Sequence, residues 1–267
     1  MTGIKAFFTV LLVMPLGHAL TMLALKLSAA GQISIMVIGI LLATLLIYAT
    51  KYIASQAWET FIGMISGVLL WASLVEIGVK IGAKAIAVEE NKAVEFSLAI
   101  IIPFLLYLLF NEQIRCNFFI SLRKCFRVTR KEIPDIAIDH WGPRVAFKMF
   151  TMIWIGHVAL FFAYDKDFFG PQGLFCKFFF IFCLFAGSYL FYRLTKAQEM
   201  AFAFRYAMPT VIVIWSCIET LVKWKIFSEP WITLNPVFMT IVILAFIGII
   251  GFIVYSEWKK KSTITTP

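Results

Sequence analysis

Eight long apolar segments divide this chain of 267 residues. They lie near 5–25, 33–53, 60–82, 94–111, 146–164, 173–194, 202–224 and 234–255. Each has the length of roughly 20 apolar residues that a helix needs to cross the hydrocarbon core of a bilayer. Only structures that satisfy their own backbone hydrogen bonds can stand in lipid, and segments this apolar and this long favour helices. The sequence therefore predicts an all-α integral membrane protein with eight transmembrane helices.

The composition agrees with a chain surrounded mainly by lipid. Hydrophobic residues make up 61% of the sequence and charged residues 15%, a balance that a soluble domain does not need in order to fill its core. The net charge of +9 comes from residues at helix ends and in one loop, with no nucleic-acid recognition motif nearby. We therefore expect a bilayer with anionic headgroups as the partner, and no nucleic acid.

The distribution of lysine and arginine predicts the orientation. The connection 113–144 is rich in both residues, and the C-terminal tail 258–267 carries three consecutive lysines. Basic segments stay on the cytoplasmic side, which places both termini there and favours the plasma (inner) membrane. Part of the connection has helical spacing of apolar residues among basic ones, which is typical of an amphipathic helix in the headgroup layer; a solvated basic connector is the alternative. The side chains expected to contact headgroups are Arg123, Lys124, Arg127, Arg130 and Lys131.

Two short motifs occur twice in the same order. A Gly-His pair lies in the first and fifth apolar segments, and a Ser-x-x-Glu-x-x-Val-Lys motif lies in the third and seventh. The histidine precedes the glutamate by 58 residues in the first half and by 62 in the second. The matched residues are His18 and His157, Ser73 and Ser216, Glu76 and Glu219, and Lys80 and Lys223.

These matches predict a tandem duplication of a four-helix unit. The first copy covers 1–112 and the second 145–257, with the basic loop 113–144 between them. Because four is an even number, both copies enter the membrane from the same side. The halves should then be related by a pseudo-twofold axis along the membrane normal, as in transporters built from parallel repeats.

Four ionisable side chains lie deep within the predicted spans, namely His18, His157, Glu76 and Glu219. Such groups are costly in a bilayer unless they face the bundle interior, water or a partner, so they are functional candidates. Helix geometry places all four in one layer of the outer half of the membrane. If the first, third, fifth and seventh helices surround the repeat axis, these side chains converge.

Three functional hypotheses follow from this His/Glu layer. It could handle protons or cations in a transport path, because imidazole and carboxyl groups change their protonation readily when they are buried together. His18 and His157 could instead ligate one haem iron from opposite halves. The same two imidazoles, together with the carboxylates, could also bind a divalent metal ion.

A purely structural role is the alternative for the same residues. Glu76 with Lys80, and Glu219 with Lys223, are spaced four apart, so each lysine could neutralise its glutamate while reaching the interface. Ser73 and Ser216 lie on the same helix faces. Each histidine could bond to a neighbouring helix at the close approach that the preceding glycine permits.

The sequence favours a small transporter or a proton- or cation-conducting protein. It contains no nucleophile elbow, no phosphate-binding glycine loop and no histidine-rich oxygenase motif, so no enzymatic activity is predicted. The alternative is a non-catalytic anchor or assembly subunit of a larger membrane complex, with other protein subunits as partners and with haem or quinone as its ligand.

Overall fold

The computed structural model describes residues 2–88, 90–110, 117–126, 140–166 and 169–264; the side chains of 90–99, 117, 118, 121 and 256–264 are not described. All the secondary structure in these ranges is helical. The helices are α1 Thr2–Leu25, α2 Ala29–Ala49 with a 3-10 turn Thr50–Tyr52, α3 Gln56–Leu70, a π-helical segment Trp71–Ile77, α4 Gly78–Ala85, α5 Glu90–Phe110, α6 Asn117–Cys125, α7 Gly142–Tyr164, α8 Leu174–Thr195, α9 Met200–Lys223 and α10 Pro236–Ile264.

Seven helices in the described ranges are long and apolar enough to cross a membrane. α3, the π-helical segment and α4 count as one of them, because they form a single rod of 30 residues, Gln56–Ala85. The predicted class, a multi-pass all-α membrane protein, is confirmed. The fourth predicted span coincides with α5, whose described apolar part is the shorter Ile100–Phe110, so an eighth crossing stays a prediction.

The helices divide into an inner and an outer set. In α1, Gln56–Ala85, α7 and α9, between 44% and 61% of the most apolar window is buried, whereas in α2, α8 and α10 the share is 11% to 17%. Outer helices expose large apolar side chains such as Leu41, Phe185 and Leu244, as helices that face lipid do. The inner set is therefore where polar side chains can be kept away from lipid.

The inner helices pack in two crosswise pairs, each joining a helix of the N-terminal half of the chain to one of the C-terminal half: α1 against α9, and α3 against α7. The α3–α7 contact is made by small residues, since a methyl group on Gly63 or Gly67 would collide with the carbonyl oxygens of Gly142 or Ala146. Small residues allow membrane helices to approach backbone to backbone. The outer helices then cover this core, α2 against α3 and α8 against α9.

Polar contacts tie three inner helices together at the end where α3, α7 and α9 begin, which we call the closed end. The buried Glu59 carboxylate accepts a hydrogen bond from the Gly142 amide at 2.9 Å. The Arg205 guanidinium lies 4.0 Å from the centre of the Trp141 ring and donates to the Thr60 hydroxyl at 3.5 Å. These contacts hold α3, α7 and α9 close together at this end.

The structure describes a short part of the basic connection. Its described part is α6, which packs against α5, so one helix face is covered. Phe119 and Arg123, four residues apart, lie on that covered face, and Arg123 is fully buried. The contact of Arg123 with lipid headgroups stays a prediction. Lys124 is exposed, and Arg127, Arg130 and Lys131 lie outside the described residues.

Candidate functional site

A local change of helix type positions the first glutamate. From Trp71 to Ile77 the chain is π-helical, and the Gly78 amide donates to the Ser73 carbonyl five residues earlier. A π turn accommodates one residue more than an α turn, and such insertions are frequent at functional sites. Trp71 and Glu76, five residues apart, therefore face the same side of the rod.

The second half reaches the same arrangement with an ordinary α-helix. Trp215 and Glu219 are four residues apart on α9, and both face the centre of the inner set. Each half thus presents one tryptophan followed by one glutamate, with the extra residue of the first half absorbed by the π-helical segment. When the two motifs are aligned on their glutamates, the two tryptophans lie one position apart, so the match between them is not visible in the sequence spacing.

The inner helices enclose a cavity of about 290 Å³ at the end where α1, α4, α7 and α9 finish, which we call the open end. Six of the eight residues predicted for a transport or ligand site line it. They are His18, Glu76, Lys80, His157, Glu219 and Lys223. The structure therefore brings together both histidines and both glutamates.

The carboxylate of Glu219 is held by two neighbours at the base of this cavity. The indole of Trp215 donates to Glu219 Oε1 at 2.7 Å, and His18 Nε2 lies 3.5 Å from the same oxygen. The His18 ring stacks on Trp215, with ring centres 5.7 Å apart and an interplanar angle of 14°. Glu219 is therefore oriented by an indole and faces an imidazole with which it can exchange a proton.

The two glutamate–lysine pairs behave differently. Lys80 Nζ lies 3.2 Å from Glu76 Oε1, so the pair predicted from the spacing of four is formed. Lys223 instead places its ammonium group 4.7 Å from the centre of the Tyr164 ring. Glu76 is therefore paired with the lysine of its own helix, whereas Glu219 contacts Trp215 and the imidazole of His18 on another helix.

The two imidazoles share one aromatic neighbour. The Trp71 indole contacts both rings edge-on, with centres 6.4 Å from His18 and 5.6 Å from His157. Haem ligation by His18 and His157 stays a prediction. In the described residues, no group of three or more His, Cys, Asp or Glu side chains is placed to hold a metal ion.

The two serines occupy unlike positions. Ser73 lies within the π-helical segment and faces α2, where a methyl group on Gly39 would collide with its hydroxyl. Ser216 lines a second, smaller cavity of about 30 Å³ beneath the His/Glu layer, and its hydroxyl donates to the Ile212 carbonyl at 3.0 Å. The π insertion explains the difference, because residues inside it are rotated relative to their α-helical counterparts.

Nine residues that line the large cavity were not predicted from the sequence, and four of them carry polar groups near its mouth or wall. Tyr164 and Asp165 lie at the end of α7, and Glu229 and Trp231 belong to the connection before α10. No periodic signal marks residues in such connections.

Comparison of the chain with protein-family models, curated proteins and solved structures finds no match.

Proposed function

We propose that this chain is a small membrane transport protein whose His/Glu layer takes up and releases protons during transport. The observation that carries the proposal is the contact of His18 with Glu219, at 3.5 Å, within a cavity that also receives His157 and Glu76. Ionisable groups in a membrane are costly, and they are typical of proton and ion pathways. A purely structural pair would not need a second glutamate and a second histidine in the same cavity.

The chemistry of the layer suits proton transfer near neutral pH. Imidazole is the side chain whose ordinary titration lies closest to this range, and its two ring nitrogens can accept a proton on one side and donate on the other. The distance of 3.5 Å needs only a small adjustment to become a hydrogen bond. Beneath the layer, the cavity of about 30 Å³ has room for about two water molecules.

In the described residues, the larger cavity meets the layer at the open end, and this one-sided arrangement favours a transporter over an open channel. The large cavity lies at the open end, whereas Met14, Ile153 and Ile212 line the floor of the small one. Beyond them, the side chains of Met64 and Met208 are completely buried. A solute that reaches the layer would therefore cross only after the crosswise pairs of inner helices rearrange.

Further proposals concern topology. We infer that 1–112 and 145–257 are two copies of one four-helix unit, because α1 packs on α9 as α7 packs on α3, and α2 covers α3 as α8 covers α9. α5 would be the eighth crossing. Lysine and arginine counts then place both termini in the cytoplasm, most simply at the plasma (inner) membrane, with anionic headgroups near Lys124.

The alternative is an anchor or assembly subunit of a membrane complex. Its support is limited to the exposed apolar faces of α2, α8 and α10, which surrounding lipid explains equally well. We therefore retain transport as the proposed function.

Proton flux in proteoliposomes tests this proposal. The purified protein is reconstituted with a pH-sensitive dye in the lumen, and a potassium gradient with valinomycin imposes a membrane potential. We expect wild-type vesicles to change lumenal pH, and Glu219→Gln to slow the change at least about tenfold, since a positioned proton-transfer group contributes about 10²–10⁴-fold.

The matched control is Glu199→Gln, which alters an exposed glutamate at the closed end. It should keep the wild-type rate. Wild-type vesicles no faster than empty ones, or an undiminished rate in folded Glu219→Gln, would overturn the proposal.

A further inference from the structure

The large cavity carries more acidic than basic side chains. Its lining contains four carboxyl groups, from Glu76, Asp165, Glu219 and Glu229, against the two ammonium groups of Lys80 and Lys223. With neutral imidazoles the formal excess is two negative charges. A concave site of one sign with apolar walls concentrates solutes of the opposite sign.

The excess of negative charge affects Glu229, which lies in the connection that borders the open end. Burial raises the pKa of this carboxyl, and the nearby charge of Glu219 raises it further; Lys223 and His18 oppose the rise without cancelling it. Neighbouring carboxylates disfavour each other's ionisation because their charges repel. A positively charged ligand between them would relieve this repulsion.

Aromatic rings form the walls beside these acids. Phe161, Tyr164 and Trp231 line the same cavity. The ammonium group of Lys223 already lies over the Tyr164 ring, 4.7 Å from its centre, so this wall takes an ammonium cation from the chain itself. Attraction between a cation and an aromatic face is typical of sites for organic ammonium ligands.

We propose that the open-end cavity binds a small organic ammonium cation. This binding does not depend on the proposed function. A volume of about 290 Å³ is at the lower end of the range for ligand pockets, so a compact ion fits and a drug-sized molecule does not. A bare divalent metal is a poorer occupant, because the described residues offer no group of three or more metal-binding side chains.

Replacing Lys223 tests the proposal, because the substitution is expected to increase the affinity for the cation. If its ammonium group occupies the place of the ligand on Tyr164, removing that charge frees the ring and increases the negative excess. Lys223→Met should therefore bind the cation more tightly than the wild type, whereas damage to the fold would weaken binding. The matched control is Lys84→Met, since Lys84 is exposed on α4 and does not line the cavity.

Isothermal titration calorimetry of the full chain in detergent, with tetramethylammonium chloride as the probe and sodium chloride as the background, measures the binding. We expect Lys223→Met to tighten it about fivefold and Glu229→Gln to weaken it about fivefold, the scale of one partly exposed charge. Lys84→Met and Glu199→Gln should leave it unchanged. Neutral tert-butanol and the anion pivalate, of similar size, should bind at least about tenfold more weakly.

Two patterns of results would overturn the inference. One is no heat from tetramethylammonium, or tighter binding of pivalate, which would make the cavity a site for anions. The other is weaker binding in Lys223→Met. Because the titration needs no gradient, its failure is separate from that of the flux assay: binding without proton flux would remove the proposed function alone, and flux without binding would remove the ammonium proposal alone.

Discussion

Two single-residue deletions distinguish the two halves of the site. Leu74 lies in the π-helical segment between Trp71 and Glu76, with its side chain exposed, and Ile218 lies between Trp215 and Glu219 in regular α-helix. Deleting Leu74 should convert the π turn to an α turn and leave the flanking residues on the same faces. The helix around Ile218 has no extra residue to lose, so deleting Ile218 should rotate all later residues of α9 about the helix axis.

The displacement in α9 can be worked from helix geometry. One residue corresponds to about 100° of rotation and 1.5 Å of rise, and a side chain ends about 5–6 Å from the axis. The carboxylate of Glu219 would therefore move by about 8–9 Å, which breaks its contacts of 2.7 Å with Trp215 and 3.5 Å with His18. A carboxyl group turned toward lipid or apolar core costs about 3 kcal/mol or more.

Thermal unfolding of the purified variants measures the difference. A cost of about 3 kcal/mol corresponds to a fall of roughly 6–12 °C in Tm for a chain of this size, which we expect for the Ile218 deletion. The Leu74 deletion should stay within about 4 °C of the wild type and retain proton flux. If the Leu74 deletion is as damaging as the Ile218 deletion, the π-helical segment is not a one-residue insertion and the match of Trp71 with Trp215 is lost.

Three further predictions address packing, orientation and pH. Gly67→Ala should lower Tm by several degrees, since its methyl group collides with a carbonyl of α7 at a cost of about 1–3 kcal/mol, whereas Gly82→Ala, with open space around it, should not. Trp215→Phe should slow proton flux several-fold in the vesicle assay, because Glu219 loses its 2.7 Å donor. Tetramethylammonium affinity should fall on acidification, beginning at a higher pH than an ordinary carboxyl gives, because the pKa of Glu229 is raised; calorimetry on Glu229→Gln should show a flatter dependence.

The class of the fold could be predicted from hydrophobicity alone. A bilayer forces every span into a helix of nearly fixed length, so segments such as 33–53 and 173–194 identify α2 and α8 without knowledge of packing. The presence of ionisable groups in the spans also indicated which helices turn inward. Their cost in lipid leaves few other places for His18, Glu76, His157 and Glu219.

The detailed geometry of the site could not be predicted in the same way. A π insertion changes the face of Ser73 without any signal in composition or spacing, and fixed-offset alignment pairs Ser73 with Ser216 while shifting Trp71 by one position. Local spacing also predicts a Lys223–Glu219 pair. In the structure Lys223 instead contacts the Tyr164 ring, and Glu219 accepts a hydrogen bond from Trp215. Long-range neighbours such as Trp231 depend on how a connection folds over the bundle, which no local period encodes.

The central claim is that Glu76 and Glu219 handle the protons that cross the membrane. The most direct measurement is the initial rate of potential-driven pH change in proteoliposomes, compared between the wild type and the double variant Glu76→Gln/Glu219→Gln at equal protein content and verified folding. The account predicts a measurable rate for the wild type and, for the double variant, the rate of empty vesicles. A double variant that moves protons as fast as the wild type would contradict it.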